Sequence, residues 1–566
     1  MSRSKSARQF ATTVVHLRRQ QLASQIRNRL RPLYERRQKF GIRSLPGYGG
    51  CRWQSGHDFL MPGPQSNSAA DMLDGRFSFL NCDNDVGWPP DWNRNDLPKL
   101  WLYNLHYFEY LWALDYEQAK SLVLDWVDRH PLREKQVGWE PYPTSLRLMN
   151  LCGVFFSKYR AQTEADLDFL NRLWESIYLQ TQWLSEHLET HLLGNHLFEN
   201  GAALAFVGSC FPGSTAERWL QLGKSILERE IAEQILNDGM HFERSPMYHC
   251  RVICVLAMLS NTGHSELLGL VREPIVRAVN ALNKLVHPDG QIALLNDSAF
   301  SVYNTRDELA AYVGDLLFST IGDIESGPAG PFALPDAGYY GFRDNDGTYI
   351  ICDAAPIGPD YIPGHAHADI FSFEMSMKGR RVIVDSGVYD YEPSATREYC
   401  RSTKAHNTVE IAGLDQCEMW AAFRVGYRGY PRDVQWMPSN NGFCLKGWHD
   451  GYKRLKGSPK HSRQFKWNRS GPLVVEDQVV ASRVQNAVSR IHLHPDCTVG
   501  NIRDGGVELV YPGGRIGVSF HGEGKLTVEK SLYCPNFGQK YENLALAYRV
   551  SGPCIKIFLH IQPLPG

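Results

Sequence analysis

A change of hydrophobic period partway along the 566 residues predicts an α+β multidomain protein, helices first and antiparallel strands second. From about residue 95 to about 320, apolar residues recur at helical spacing in consecutive segments such as LDFLNRLWESIYLQTQWLSEHL and AERWLQLGKSILEREIAEQIL. Short Gly, Pro or polar breaks separate them, which predicts antiparallel helical hairpins in a bundle or a closed α/α toroid. Residues 321–336, IGDIESGPAGPFALPD, read as a linker. Beyond it, runs such as TYIICDA, RVIVDSG and CIKIFLHIQ are separated by turns roughly every ten residues, the pattern of a large antiparallel sandwich. The division that follows is a basic, loop-rich extension over 1–94, a helical domain over 95–325 and a β domain over 326–566.

Charge and composition exclude several classes. A net charge of -1 gives no global attraction to nucleic acid or an anionic membrane. No apolar run approaches the roughly 18 residues of a membrane span. The amino terminus lacks the uninterrupted apolar core of a secretory signal, so a cytoplasmic location is expected, with the periplasm or cell envelope as the alternative. The 13 cysteines are scattered without a C-x-x-C pair, which argues for a reducing compartment.

Taken in order, residues 3–43 carry twelve Lys or Arg against one acid, Glu35. Phe10, Val14, Leu17, Leu22, Ile26, Leu30 and Leu33 fall near helical spacing. Two readings follow: a basic amphipathic helix lying on a membrane or partner, or a helix packing its apolar stripe on the body. Residues 44–70 read as loop, and Arg76–Leu80 as a short strand. Ser214 with Glu217 predicts a capping box, and Ser245-Pro246 a helix start.

Four segments carry potential chemistry. GNHLFENG places Asn195 and His196 at a helix start, with Glu199 and Asn200 one turn on. DGMHFERSPMYH offers Glu243 and Tyr248, the latter a phenol able to serve as acid or base. Arg147 in GWEPYPTSLRLMN suits a substrate carboxylate or an internal salt bridge, whereas Asn296 and Asp297 read as ordinary turn polars. The fourth segment, residues 361–407, is the densest. Phe371 to Met377 alternates apolar and polar, Lys378-Gly379-Arg380 turns, and Arg381 to Asp385 returns as the second strand of a hairpin. That hairpin brings Asp385 back toward His365 and His367, with His406 a loop further on. Imidazole and carboxylate ligands of this kind suit Zn²⁺, and a zinc site needs only three of the four groups.

Together GNHLFENG, ERSPMYH, the HAHADIFSFEMSMKGRRVIVDSG block and RSTKAHNTVEI resemble the heparinase II/III-like polysaccharide lyases, a group with relatives acting on alginate. The resemblance covers most of the chain from about residue 95. It implies an N-terminal α/α toroid joined to a C-terminal antiparallel β-sandwich, with an anionic, uronate-containing polysaccharide in the cleft between. It implies β-elimination leaving a 4,5-unsaturated sugar. By motif match, Asn195 and His196 correspond to the pair that neutralises the substrate carboxylate, Tyr248 to the catalytic tyrosine and His365 to the catalytic histidine. His367, Asp385 and His406 correspond to the ligands of a structural Zn²⁺. Glu199, Arg147, Glu243, Tyr399 and Arg401 are the expected substrate-binding residues. The neighbouring histidines then divide, His365 facing the sugar and His367 turning inward, which demands local loop geometry. The competing readings are a glycoside hydrolase, which needs two opposed carboxylates, and a non-catalytic polysaccharide-binding protein. Neither nucleic acid nor an integral membrane anchor is expected, and the oligomeric state is left open.

Overall fold

A computed structural model describes residues 3–35, 46–53, 66–132, 136–317, 327, 329–503 and 505–565. Residues 36–45 of the basic segment, most of the 44–70 loop, the first part of the 321–336 linker and the side chain of Leu33 lie outside the described residues. Helices run from Arg3 to Leu317, interrupted by the small hairpin Arg76–Phe79 with Cys82–Asp85. Every other described strand lies beyond residue 329, so the predicted order of an α/α toroid and then a β-sandwich holds. No described helix is long and apolar enough to cross a membrane.

The toroid is built from hairpins whose apolar stripes meet. The Gly194–Cys210 helix packs on Ser214–Gln234 at backbone distance. A Cβ on Gly208 would stand 2.4 Å from Leu220 N, and one on Gly223 2.4 Å from Ala205 N, so both positions exclude a side chain. Trp101, Leu105, Phe155, Ile177, Leu204 and Val255 fill the shared core. The capping box at Ser214 does not form, because the helix starts one residue early and Gly213 takes the cap position. Ser245 does cap the next helix, accepting from Tyr248 N, with Pro246 in its first turn.

The sandwich pairs a five-stranded meander, Gly330–Leu334 to Arg380–Ile383, with a ten-stranded antiparallel sheet. Phe342, Ile350, Phe373 and Met375 meet Phe465, Val475 and Leu559 between them. The first strand begins at Gly330, inside the predicted linker. The expected hairpin is present, Phe373–Met377 pairing with Arg380–Ile383. Its alternation has an unexpected cause, since all five residues of the first strand are buried. Glu374 and Ser376 face the toroid rather than water: His287 Nε2 lies 2.8 Å from Glu374 Oε2, and His287 Nδ1 lies 2.7 Å from Ser376 Oγ. Around them Tyr339, Tyr349 and Ile351 pack on Met240, Ala281 and Leu285. The outer face of the small sheet is therefore glued to the helical half, which fixes the two sets of site residues relative to one another.

The amino-terminal helices strap this junction. Gln21 Nε2 donates to Leu192 O (3.3 Å) on the toroid and to Tyr361 O (3.2 Å) on the loop leading to His365. Arg18 pairs with Glu233 and stacks 3.7 Å over the Tyr361 ring. Thr13 Oγ1 contacts Val425 O at 3.1 Å. The expectation that an apolar stripe holds these helices to the body is not met, because polar side chains make the contacts.

Candidate active site

On the toroid side, backbone geometry aims the first helical turn of Gly194–Cys210 at the junction. Leu193 (φ 66°) and Gly194 (φ 56°) are both left-handed. A Cβ at Gly194 would stand 2.6 Å from Ile362 Cδ1 and 2.9 Å from Glu243 Oε1 and would push on both side chains, while the positive φ itself favours glycine. Asn195 and His196 follow directly. His196 Nδ1 lies 3.0 Å from Glu189 Oε1, and Asn200 Nδ2 donates to Glu189 Oε2 at 3.1 Å. Burial disfavours the imidazolium, but the buried Glu189 carboxylate outweighs it and raises the His196 pKa. Its side chain stays 28% exposed, and the raised pKa favours its cationic form.

Tyr248 stands in the first turn of the Pro246–Asn261 helix. Its ring lies 3.9 Å from the His365 ring, and its hydroxyl is 3.0 Å from that of Tyr391. Burial, then the neighbouring Tyr391, hold the Tyr248 pKa well above the ordinary phenol range. The resting group is a neutral phenol with a proton to give.

Asp297 ties the two halves together. It is fully buried, and its carboxylate lies 3.0 Å from His365 Nδ1, 2.9 Å from His367 Nε2 and 2.8 Å from Arg397 Nη2. Burial favours the neutral acid, but Arg397 and the two histidines outweigh it and hold Asp297 well below the usual carboxylate range. A carboxylate accepts only, so His365 donates from Nδ1 and its Nε2 is the nitrogen left for a second partner. That atom is 3.6 Å from Glu243 Oε2, a buried oxygen with no hydrogen-bond partner. Burial pushes the Glu243 pKa up despite the nearby His365. Glu243 Oε1 accepts from Asn195 N at 3.2 Å, tying two segments of the helical half together.

The two histidines differ in exposure. The 361–372 segment is irregular rather than strand, and His365 keeps 12% of its side chain exposed while His367 is sealed. His367, Asp385 and His406 offer ligand atoms within 4.8 Å of one another. His367 Nδ1 and His406 Nε2 are buried with no hydrogen-bond partner, and Asp385 Oδ2 lies 2.8 Å from His406 Nδ1. Burial and then Asp385 act oppositely on His406, leaving it raised to about 9, while burial lifts Asp385 to about 6. Two orphaned ring nitrogens beside a carboxylate fit a divalent metal ion, and Asp297 would orient His367 from behind.

Four expected substrate-binding residues are placed elsewhere. Arg147 is fully buried and donates to Gln180 Oε1 (2.7 Å), Gly138 O (2.7 Å) and His106 O (3.1 Å), as an internal brace. Glu199 is buried in a bidentate pair with Arg251, at 2.6 and 3.0 Å. Arg401 is buried and donates to Ala366 O and Ala421 O, holding the histidine loop from inside. Tyr399 turns its hydroxyl to Ser531 Oγ, 2.7 Å away in the sandwich. Glu243 alone of the five reaches the site, lying beneath it. Asp297, Arg397, Glu189 and Tyr391 complete the site without having been singled out. Asp297 in particular is a hub rather than a turn polar.

Comparison with known proteins agrees with this architecture. The description "Heparinase II/III N-terminus" matches residues 109–314, and "Heparinase II/III-like, C-terminal" matches residues 326–557. A heparin-sulfate lyase of Pedobacter heparinus is 29% identical over 379 residues, covering 59% of this chain and 55% of that protein. One from Bacteroides stercoris is 25% identical over 388 residues, covering 62% and 54%. The matches thus span about half the length of these relatives. A crystal structure of heparinase III superposes with a TM-score of 0.70 at 18% identity, covering 84% of this chain and 80% of that one. A heparan sulfate lyase HepC from Pedobacter heparinus gives 0.61 at 20% identity, covering 88% and 83%, and these likenesses establish a shared fold. With both halves matched in order, and with the site assembled from the motifs of each, the chain belongs to the heparinase II/III-like family.

Proposed function

We propose that the chain is a polysaccharide lyase that cleaves a uronate-containing polymer by β-elimination. One observation carries this reading: the rings of Tyr248 from the toroid and His365 from the sandwich lie 3.9 Å apart, and Glu243, 3.6 Å from His365, accepts from the backbone of Asn195 next to His196. Removing a C5 proton next to a carboxylate requires that the carboxylate be neutralised while charge develops. His196 and the Asn195 amide supply donors for that task. His365 Nε2, its other nitrogen tied to Asp297, takes the role of base. Tyr248, a neutral phenol, protonates the departing O4. The base then returns to its resting state by passing the C5 proton to solvent or to the tyrosinate.

The hydrolase alternative lacks a pair: of its three candidate carboxylates, Glu199, Glu243 and Asp297, only Glu243 is not held by an arginine. Glu199 is locked to Arg251 and Asp297 to Arg397, so neither supplies one of two opposed carboxylates across an open cleft. The relatives named heparin-sulfate lyase make a heparan-type polymer the first substrate to test, with alginate-type and capsular uronates next. His367, Asp385 and His406 are the residues we assign to a Zn²⁺ ion, whose contribution is to order the loop under the cleft. Folding units at 95–325 and 326–566, with an extension over 1–94, are part of the same proposal.

The test is incubation with a panel of uronate polymers while the ultraviolet absorbance of unsaturated ends is followed. Growth of that chromophore with matching loss of polymer size is the expected outcome. New reducing ends without it would overturn the lyase assignment in favour of hydrolysis.

A further inference from the structure

The second amino-terminal helix, Arg19–Glu35, is inverted in its amphipathicity. At 100° per residue, Gln21, Ser24 and Asn28 share one face, and Arg19, Ala23, Ile26 and Leu30 share the opposite one. The polar face is the docked face. Gln21 and Ser24 are buried, Ser24 Oγ lies 3.0 Å from Thr190 Oγ1, and Asn28 Nδ2 lies 3.3 Å from His191 Nδ1. The apolar face is turned to solvent, with Ile26 59% and Leu30 43% exposed and with Arg27 and Arg29 on its flanks. The first helix and its turn do the same, burying Gln9 while Phe10 is 55% and Val15 80% exposed. No acidic residue occurs from position 3 to 34.

We propose that this helix pair docks the protein on an anionic phospholipid surface. Burying polar side chains while exposing Ile, Leu, Val and Phe is unfavourable in water and becomes favourable once another apolar medium covers the outer face. Flanking arginines without a single acid select a negatively charged surface. The apolar members are aliphatic apart from Phe10, which suits an acyl boundary rather than a sugar chain that stacks on aromatic rings. The docked face also straps Leu192 and Tyr361, at the rim of the candidate site. Docking therefore holds that rim near the lipid headgroups, where a membrane-attached or newly exported polymer is within reach.

The experiment is co-sedimentation of the full chain with vesicles of phosphatidylcholine, alone or mixed with phosphatidylglycerol. Binding is expected only with the anionic mixture, weakening as salt rises. The pairs Ile26→Ser with Leu30→Ser and Arg19→Glu with Arg29→Glu should each lower the partition coefficient at least about tenfold. Both should leave the melting temperature and turnover of soluble polymer unchanged, since none of these side chains faces the candidate site. Absence of binding to anionic vesicles overturns the proposal. So does binding indifferent to Ile26→Ser with Leu30→Ser, because that is charge attraction without insertion. Light scattering that shows a dimer dissociated by the same pair would assign the face to a second copy, and competition by soluble polyuronate that also depends on it would assign the face to substrate; either result also overturns lipid docking.

Discussion

Asp297 and Asp477 are buried carboxylates with nearly the same company. Asp477 accepts from Arg463 Nε (2.7 Å) and Nη2 (2.9 Å), lies 2.8 Å from His461 Nε2 and 3.2 Å from Ser489 Oγ. Like Asp297, it is held below the usual carboxylate range, with arginine and histidine outweighing burial. The two differ in where the chain of hydrogen bonds ends. From Asp477 it runs to His461, then to His449 Nε2 (2.9 Å), then to Gly451 N (3.3 Å), and closes inside the sheet. From Asp297 it runs to His365 and stops at Nε2, 3.6 Å from Glu243 Oε2, with the imidazole ring against that of Tyr248. An Arg–Asp–His group is scaffold when every valence is satisfied internally, and chemistry when one is left over at a junction.

Breaking the open end should have the largest effect. Tyr248→Phe is expected to lower kcat by about 10²–10⁴, the usual contribution of a positioned proton donor. Its cost in stability should stay near 1 kcal/mol, since one tyrosine–tyrosine hydrogen bond is lost. Single-turnover assays with thermal unfolding separate the two, and a variant of normal kcat would remove Tyr248 from the chemistry.

Next come the paired variants Asp297→Asn and Asp477→Asn. Each strands a buried arginine, and each should cost about 3–5 kcal/mol. Only Asp297→Asn should also depress turnover per folded molecule, by about tenfold or more, because His365 loses the partner that fixes its tautomer. Their pH dependence has one sign. A depressed carboxylate contributes fully above its unfolded pKa of about 3.9 and loses that contribution as pH falls toward its folded value. The stability gap between wild type and Asp477→Asn should thus be flat above about pH 4 and narrow below it. Equal loss of activity in both variants would erase the distinction between the two hubs.

Metal binding tests the layer beneath. If the proposed ion is held there, His406→Ala should lower metal content, read by elemental analysis, and the melting temperature by several degrees, about 1–3 kcal/mol for a domain of this size. Unchanged metal content would reject the ligand set. The smallest effect is expected from Tyr399→Phe, whose hydroxyl serves Ser531 in the sandwich: about 1 kcal/mol or less, with kcat and KM unchanged.

The order of layers and the hairpin returning Asp385 were legible, because each rests on local period or on motifs whose spacing survives folding. Asp297 was not. In HPDGQIALLNDSAF it looks like a turn residue, and its partners lie 68, 70 and 100 positions away. Arg401 and Tyr399 were misplaced for a related reason. They sit close to His406 in sequence, but the short Ala395–Arg401 helix turns Arg397 toward Asp297 and sends its neighbours to the loop carbonyls and Ser531. Arg147 and Glu199 sit in segments rich in candidate groups, but each is taken up by a buried partner brought in from elsewhere in the chain, Arg147 by Gln180 and Glu199 by Arg251.

By itself the sequence determined the helical and β halves, the family motifs and the residue types able to hold a metal or move a proton. Those follow from periodicity and side-chain chemistry, which are properties of short stretches. Only the tertiary structure decided which charged groups keep a free valence. That depends on burial and on partners from distant segments: Asp297 between two histidines and Arg397, Glu199 silenced by Arg251, and an amino-terminal helix docked by its polar face.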